Sequence, residues 1–219
     1  MAETPRDAIR ACTAGTALAI ALGLAVIAPA LAQTMPERGV FVTQIGDGSR
    51  ADVTQRNADS LARVVQGGND NTVDLVQDGT APHRAEIAQD GDGNRVDARQ
   101  EGDGTTALAL GQEGDGNSAL VLQRETSSAE TSSAAILQRG TGNSVVLVQD
   151  GSDNRADLAQ TGNGNTMTVT QLDFGNRLQW AQNGDGLPDL RISQTGGANA
   201  QITQSNTGAQ FAPPPGSGG

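Results

Sequence analysis

Glutamine recurs along this chain at intervals close to eleven residues, and this spacing constrains the fold more than any other feature. Fifteen glutamines keep the register, separated by 11, 11, 11, 12, 11, 12, 11, 15, 11, 11, 11, 11, 12 and 10 residues. Disordered sequence has a biased composition but no fixed spacing, so the chain is a repeat protein. The register glutamines are Gln44, Gln55, Gln66, Gln77, Gln89, Gln100, Gln112, Gln123, Gln138, Gln149, Gln160, Gln171, Gln182, Gln194 and Gln204.

Other residue types keep fixed offsets from each register glutamine. The positions two and four residues before it are apolar in all fifteen units, as with Leu75 and Val73 before Gln77. Six residues before it there is often asparagine: Asn71, Asn94, Asn117, Asn143, Asn154, Asn165 and Asn176. Two residues after it there is usually glycine: Gly46, Gly68, Gly79, Gly91, Gly102, Gly114, Gly140, Gly151, Gly162, Gly184 and Gly196.

These offsets predict a half-buried β-strand in every unit. Residues two apart on a strand point to the same face, so the asparagine, the apolar pair and the glutamine share one face. The positions between them are mixed, as in Arg95, Asp97 and Arg99, and face the other way. The strand is six or seven residues long, and the Gly-rich remainder forms a turn, since Gly adopts the positive φ of tight turns.

The predicted fold class is all-β, a β-solenoid of stacked strand-turn-strand repeats. One half-buried strand cannot cover its own apolar face, but two strands joined by a turn can face each other and stack on the next pair. This gives about 22 residues per rung and about seven rungs, over residues 40–211. Aromatic residues are only 2% of the chain, too few for an ordinary globular core, whereas small apolar residues suit a thin interior.

Stacking explains why the amides recur. A buried amide is costly unless it is hydrogen-bonded, and a side-chain amide both donates and accepts. Identical amides stacked one strand apart can therefore bond in a continuous ladder. We expect structural amide ladders at the register glutamines and at the seven asparagines, with the eleven glycines in the turns.

The two ends of the chain differ from the repeats. Residues 1–32 combine Arg6 and Arg10 with an apolar run, which predicts a signal-peptide helix cleaved between Ala32 and Gln33, with Ala30 completing the small-residue site. The alternative is a membrane anchor, but the run is short for a span and no basic cluster follows it. A short segment, 33–39, precedes the solenoid, and a Pro/Gly-rich tail, 212–219, follows it.

The repeat resembles that of the curlin family, the subunits of curli, which are extracellular amyloid fibres of bacterial biofilms. The family repeat is Gln-x-Gly-x-Gly-Asn-x-Ala-x-x-x-Gln, and one unit fits it in full: Gln112, Gly114, Gly116, Asn117, Ala119 and Gln123. The resemblance implies a subunit exported through the periplasm to a fibre on the cell surface, acting in adhesion and biofilm matrix. As partners it implies other copies of this chain, a second curlin-like subunit and a curli-type outer-membrane secretion channel.

The sequence leaves some choices open. The chain has about seven rungs where the family usually has about five, so it is either the bulk subunit or a minor nucleator or anchor. Open sheet edges at both ends favour self-assembly. The alternative is a non-polymerising secreted solenoid, capped by the segments at its two ends, that acts as a binding module.

Three features of the predicted outer surface can be interpreted from the sequence. Asp residues of the turns, with Asp52, Asp74 and Asp97 on one outer face, either slow premature assembly or only keep the chain soluble. The duplication ETSSAETSSA at 125–134 is interpreted as a tolerated surface loop. An outward apolar patch is either a lateral contact between filaments or a result of β-propensity, and comprises Leu120, Leu122, Leu137, Val146 and Val148.

Other functions are not supported. Asp90, Asp92, Asn94 and Glu101 match some EF-hand offsets, but Arg95 stands at the required Gly, so weak calcium binding at acidic turns is the most that is left open. The lone His83 replaces a corner asparagine and is expected to pack there. We predict no catalytic residues, cofactor or metal site, no membrane span after cleavage and, given the net charge of −11, no nucleic-acid binding.

Overall fold

The computed structural model describes residues 38–206, and all of its regular structure is β-strand. The predicted signal peptide, its cleavage site and the Pro/Gly-rich tail lie outside the described residues. Fifteen strands follow one another: β1 Gly39–Ile45, β2 Arg50–Gln55, β3 Leu61–Gly67, β4 Thr72–Gly79, β5 Arg84–Asp90, β6 Arg95–Gly102, β7 Thr105–Glu113, β8 Ser118–Glu125, β9 Thr131–Arg139, β10 Ser144–Ser152, β11 Arg155–Thr161, β12 Thr166–Phe174, β13 Arg177–Asn183, β14 Leu190–Thr195 and β15 Asn199–Ser205.

The strands alternate between two parallel sheets, which confirms the predicted β-solenoid. The eight odd-numbered strands form one sheet in the order β1-β3-β5-β7-β9-β11-β13-β15, and the seven even-numbered strands form the other. Each strand pairs in register with the strand one rung away, so Gln66 lies opposite both Gln44 and Gln89. Hydrogen-bonded glutamines are 22 or 23 residues apart along the chain, and 26 apart across the insertion at 125–134.

A thin apolar interior lies between the sheets. It consists of the residues two and four positions before each glutamine, and in the inner rungs these side chains are at most 5% exposed. Most are Ala, Val, Leu or Ile, and Trp180 is the largest buried side chain. The two-residue periodicity of the sequence therefore places one apolar layer inside and the variable positions outside.

The turn glycines allow the turns of neighbouring rungs to approach closely. Gly91 has φ of 113°, and a Cβ added to it would lie 2.4 Å from the carbonyl oxygen of Gly114 in the next rung. A side chain there would force the stacked turns apart. Glycine is thus required both for the backbone conformation and for the rung spacing.

The predicted outward apolar patch is not a single surface. Leu120, Leu122, Val146 and Val148 lie on β8 and β10 of the seven-stranded sheet, whereas Leu137 lies on β9 of the other sheet. Leu137 is only 5% exposed, because it packs over Gly111, which has no side chain of its own on that face. The patch is therefore limited to four residues.

Among residues 38–206 no helix is long and apolar enough to cross a membrane.

Replacing Leu147 by Ala should lower the free energy of unfolding by about 2–5 kcal/mol, because it opens a cavity between Val121 and Val169 of the adjacent strands. The measurement is guanidinium unfolding of freshly desalted monomer. Leu122→Ala is the matched control, since Leu122 lies on the outer face and is 38% exposed. Equal losses for the two variants would contradict the assignment of the inner face.

Candidate functional site: the amide ladders and the end strands

Two continuous ladders of glutamine side chains run through the solenoid, one in each sheet. In the eight-stranded sheet, Nε2 of each glutamine donates to Oε1 of the next, from Gln44 to Gln204, at 2.6–3.0 Å. In the seven-stranded sheet the ladder runs from Gln55 to Gln194 at 2.5–3.1 Å. All fifteen predicted glutamines belong to these ladders, and every donor points toward the C-terminal end.

The second amide hydrogen of each glutamine joins the two sheets. From Gln66 through Gln194, Nε2 also donates to a backbone carbonyl of the preceding strand, at 2.9–3.3 Å. Gln100, for example, donates to the carbonyl of Arg84 on β5. Both N–H groups of the buried amide are therefore satisfied, so its burial carries no penalty for an unpaired donor.

The asparagines combine bonds to backbone groups with amide-to-amide side-chain bonds, which join four of the five successive asparagine pairs. Oδ1 of Asn94 accepts the backbone N–H of Asn117 at 3.0 Å, and Nδ2 of Asn94 donates to the carbonyl of Gly114 at 2.7 Å. A weaker side-chain bond, Nδ2 of Asn117 to Oδ1 of Asn94, is 3.1 Å long. These asparagines thus tie each turn to the next turn through backbone groups.

The corner asparagines form two separate columns. One column contains Asn71, Asn94, Asn117, Asn143 and Asn165, at the turns that lead from the eight-stranded sheet to the seven-stranded one. The other contains Asn154 and Asn176, joined from Nδ2 to Oδ1 at 2.9 Å. In that second column Ser60, His83, Thr106 and Ser132 occupy the corner position of the earlier rungs.

Several turn carboxylates and amides have a structural role that the sequence reasoning missed. Oδ1 of Asp92 accepts the backbone N–H of Asn69 at 2.7 Å, and Oδ1 of Asp115 accepts that of Asp92 at 2.9 Å. Asp185 does the same for Asn163 at 2.7 Å. The signal was present in the sequence, because these residues stand at one fixed position, three residues after the glutamine.

Glu125 is a second missed residue. It stands two residues after Gln123, where most units have glycine, and it is completely buried. Its Oε1 accepts the backbone N–H of Ser127 at 2.9 Å, and its Oε2 accepts from Ser132 Oγ at 2.8 Å and from the Asp153 N–H at 3.0 Å. The insertion at 125–134 is therefore anchored from inside the corner and is not only a surface loop.

His83 packs at a corner of the solenoid, as its position in the repeat predicts. It is 1% exposed, with Nδ1 at 3.0 Å from Thr106 Oγ1, and Nε2 has no hydrogen-bond partner among the described residues. Burial lowers the pKa of His83 below its ordinary value of 6.5, and the neighbouring Asp78 and Glu101 oppose this shift. The neutral imidazole is therefore the form that the folded state favours.

The predicted carboxylate stack is present on the outer face of the seven-stranded sheet. Asp52, Asp74 and Asp97 lie opposite one another in register on β2, β4 and β6. Arg50 lies 2.9 Å from Asp52, and Arg95 lies 3.9 Å from Asp97. Exposed pairs of this kind contribute little to stability, but they reduce the repulsion between stacked like charges.

The end strands expose positions that are buried in every inner rung. Val40 and Val42 on β1 are 44% and 43% exposed, and Leu190 on β14 is 38% exposed, although all three belong to the inner rows. At the N-terminal end, the first glutamine of each ladder lacks a donor: no side chain among residues 38–206 donates to Oε1 of Gln44 or Gln55. Both ends therefore present an apolar strip and a strand edge. At the C-terminal end Gln204 donates one bond, to the Pro188 carbonyl, whereas Nε2 of Gln194 donates to Arg177 and, at 3.4 Å, to the Ala198 carbonyl.

The comparisons with known proteins identify the repeat. A family model described as the curlin-associated repeat matches residues 68–102, 131–162 and 140–172. The unit that fits the family repeat in full, Gln112 to Gln123, lies between the matched segments. Neither the curated proteins nor the solved structures contain a match to the chain.

Replacing Gln112 by Leu should destabilise the monomer, because it leaves one amide hydrogen of Gln89 without an acceptor and Oε1 of Gln138 without a donor. The expected loss in the free energy of unfolding is about 1–3 kcal/mol for each group left unpaired. Guanidinium unfolding measures it. Gln179→Leu, at an outer-face position of the same sheet, is the control and should change stability much less. A neutral Gln112→Leu variant would show that the ladder does not stabilise the fold.

Stability should fall as the pH drops below about 6.5, because the unfolded chain then binds a proton at His83 that the folded chain resists. Above that pH the imidazole is neutral in both states and contributes no pH dependence. His83→Asn restores the usual corner residue and should flatten the unfolding midpoint between about pH 7 and about pH 5. Identical pH profiles for the two proteins would contradict this.

Proposed function

This chain is a curlin-repeat protein, and on that premise we propose that it is a secreted structural subunit that self-assembles into extracellular amyloid fibres. The repeat family comprises structural fibre subunits and not enzymes. In this proposal the fibres act in surface adhesion and in the biofilm matrix.

The observation that carries the proposal is that, among residues 38–206, both ladders end at strands that have no partner on their outer edge. Within the chain, each rung is held to the next by parallel strand pairing, by glutamine bonds and by the apolar rows. The same three features are available at each end, where Val40, Val42 and Leu190 are exposed. A second copy can therefore add to an end through the contacts that join rungs within one copy, giving a cross-β fibre.

Export and partners follow from the same proposal. The predicted signal peptide, residues 1–32, would direct the chain to the periplasm, and a curli-type outer-membrane channel would release it to the cell surface. A second curlin-like subunit would start or anchor the fibre, and further copies of this chain would extend it. The stacked Asp52, Asp74 and Asp97 would slow assembly before release, since exposed like charges oppose close association.

Amide substitutions at the ends should slow fibre growth more than one in the middle. Gln44→Ala or Gln204→Ala removes a group from the ladder that would cross between copies, whereas Gln112→Ala interrupts only the ladder within a copy. We expect elongation of preformed seeds to slow about fivefold or more for the end variants, because each loses about 1–3 kcal/mol at the interface. Thioflavin fluorescence at matched monomer concentrations measures the rates.

The unfolding midpoint of each variant serves as the control, so that a folding defect is not mistaken for an assembly defect. Equal growth rates for all three variants would count against assembly through the end strands. A parent chain that does not elongate any seed would contradict the proposed function itself.

A further inference from the structure

Consecutive strands of the solenoid are structurally equivalent although they lie in opposite sheets. From Gln66 through Gln194, each glutamine donates to the carbonyl five residues before the glutamine of the preceding strand, whichever sheet it is in; Gln204, after a unit shorter by one residue, donates to Pro188, six residues before Gln194. Gln77 of the seven-stranded sheet bonds Leu61 in this way, and Gln89 of the eight-stranded sheet bonds Thr72. From each strand to the next, the coil therefore rises along its axis by half a rung and rotates about that axis by half a turn. The single strand is its repeating unit.

The number of these units is odd. Residues 38–206 supply eight strands to one sheet and seven to the other, so the described part of the coil ends half a rung after its last complete rung. The sequence that follows does not continue the repeat pattern: Phe211 stands at the first apolar position of a further unit, but Pro213 stands at the second and Pro215 at the glutamine position. Proline cannot donate to a strand ladder.

This odd number affects how a second copy can add to the C-terminal end. If β1 of the next copy were added to β15, in the same orientation, the β2 of that copy would lie two strand spacings from β14. A gap of about 10 Å would then separate these two strands. The edge of β14 would be unpaired, and Leu190, already 38% exposed, would face a vacant strand position.

We propose, on the basis of the proposed self-assembly, that successive copies are rotated by half a turn about the fibre axis. The β1 strand of each new copy is then added to β14, and its β2 to β15. Both sheets continue without a gap, and each passes from the odd strands of one copy to the even strands of the next. No other rotation that preserves the two-sheet coil fills both edges.

The residues at the two ends fit this arrangement. In register, Gln44 of the new copy lies over Gln194, with Val40 and Val42 over Leu190 and Ile192. All four apolar residues belong to the inner rows, so the exposed apolar strip at one end covers that at the other. The donor direction also agrees, since Nε2 donates toward the C-terminal end throughout both ladders. To donate to Gln44 of the new copy, Nε2 of Gln194 exchanges its long 3.4 Å bond to the Ala198 carbonyl.

The charged and aromatic residues on the outer faces are compatible with the half-turn. Arg191 is brought beside Phe41, a cation–aromatic neighbour, and Gln201 is brought beside Asp52. No charge of the new β1 or β2 lies opposite a like charge. The chain also leaves β15 in the required direction: Asn206 stacks over the turn to the seven-stranded sheet, donating from Nδ2 to the carbonyl of Asp185 at 2.6 Å.

The half-turn has a consequence for the fibre surface. Each copy advances the fibre by fifteen half-rungs, about 36 Å at the usual strand spacing. The true axial repeat is then two copies, about 72 Å. The Asp52, Asp74 and Asp97 stack and the patch on β8 and β10 alternate between the two sides of the fibre at that repeat.

Cysteine pairs test the rotation directly. Thr43, Thr54, Ser193 and Thr203 all occupy the exposed outer position just before the glutamine. Residues in register on adjacent strands lie about 4.8 Å apart, within the range that a disulfide spans. The half-turn predicts cross-links between copies in the pairs T43C/S193C and T54C/T203C. Direct stacking predicts them in T43C/T203C alone, and in each pair the two positions are at opposite ends of one chain.

The three double variants are made with Cys12→Ser, grown into fibres under reducing conditions, then oxidised and dissolved. On a non-reducing gel we expect a ladder of covalent multimers for T43C/S193C and T54C/T203C and only monomer for T43C/T203C. Multimers from T43C/T203C, or from none of the variants although fibres formed, would overturn the half-turn. If none of the chains, the parent included, forms fibres, the proposed function fails and the half-turn interface fails with it.

Discussion

The interaction on which the structure depends is the hydrogen bond between identical glutamine side chains one rung apart. A carboxamide has two donors and an acceptor, so a single residue type can bond forwards, backwards and across the interior. In this chain it does all three, as Gln100 shows: it accepts from Gln77, donates to Gln123 and donates to the carbonyl of Arg84. An apolar residue in that place would leave backbone groups unpaired, and a charged residue would repel its own copies.

The remaining features follow from keeping these amides in register. The rung spacing is that of parallel strands, so the turns must stack as closely as the strands do, and Gly91 meets this demand by having no side chain. The interior is one layer of small apolar residues because two sheets joined by short turns enclose little volume. Stability is therefore distributed along the coil, each rung depending mainly on its neighbours, as in other repeat proteins. The ends are weak points and, in the proposed fibre, the sites of growth.

Much of the fold could be predicted from the sequence because residues two apart on a strand lie on the same face. Apolar residues two and four positions before each glutamine define one face, and the structure places them inside. What could not be predicted depends on which sheet a strand belongs to and on the bonds within the turns. The sequence assigns Leu137 to an apolar patch that lies on the opposite sheet. It assigns the turn carboxylates to slowing assembly or to solubility, whereas Asp92 holds its turn to that of the neighbouring rung. Glu125 begins a duplicated stretch that the sequence analysis interprets as a surface loop, and the structure buries its side chain.

In the proposed fibre, the contacts between rungs within a chain are repeated between chains. Seeded growth followed by fibre diffraction tests this most directly, on the predicted exported chain, Gln33 to Gly219, diluted from denaturant at neutral pH. We predict a lag that seeds shorten, and reflections near 4.8 Å along the fibre and near 10 Å across it. A soluble, β-rich monomer that does not elongate seeds would contradict assembly through the end strands and would favour a capped solenoid that does not polymerise.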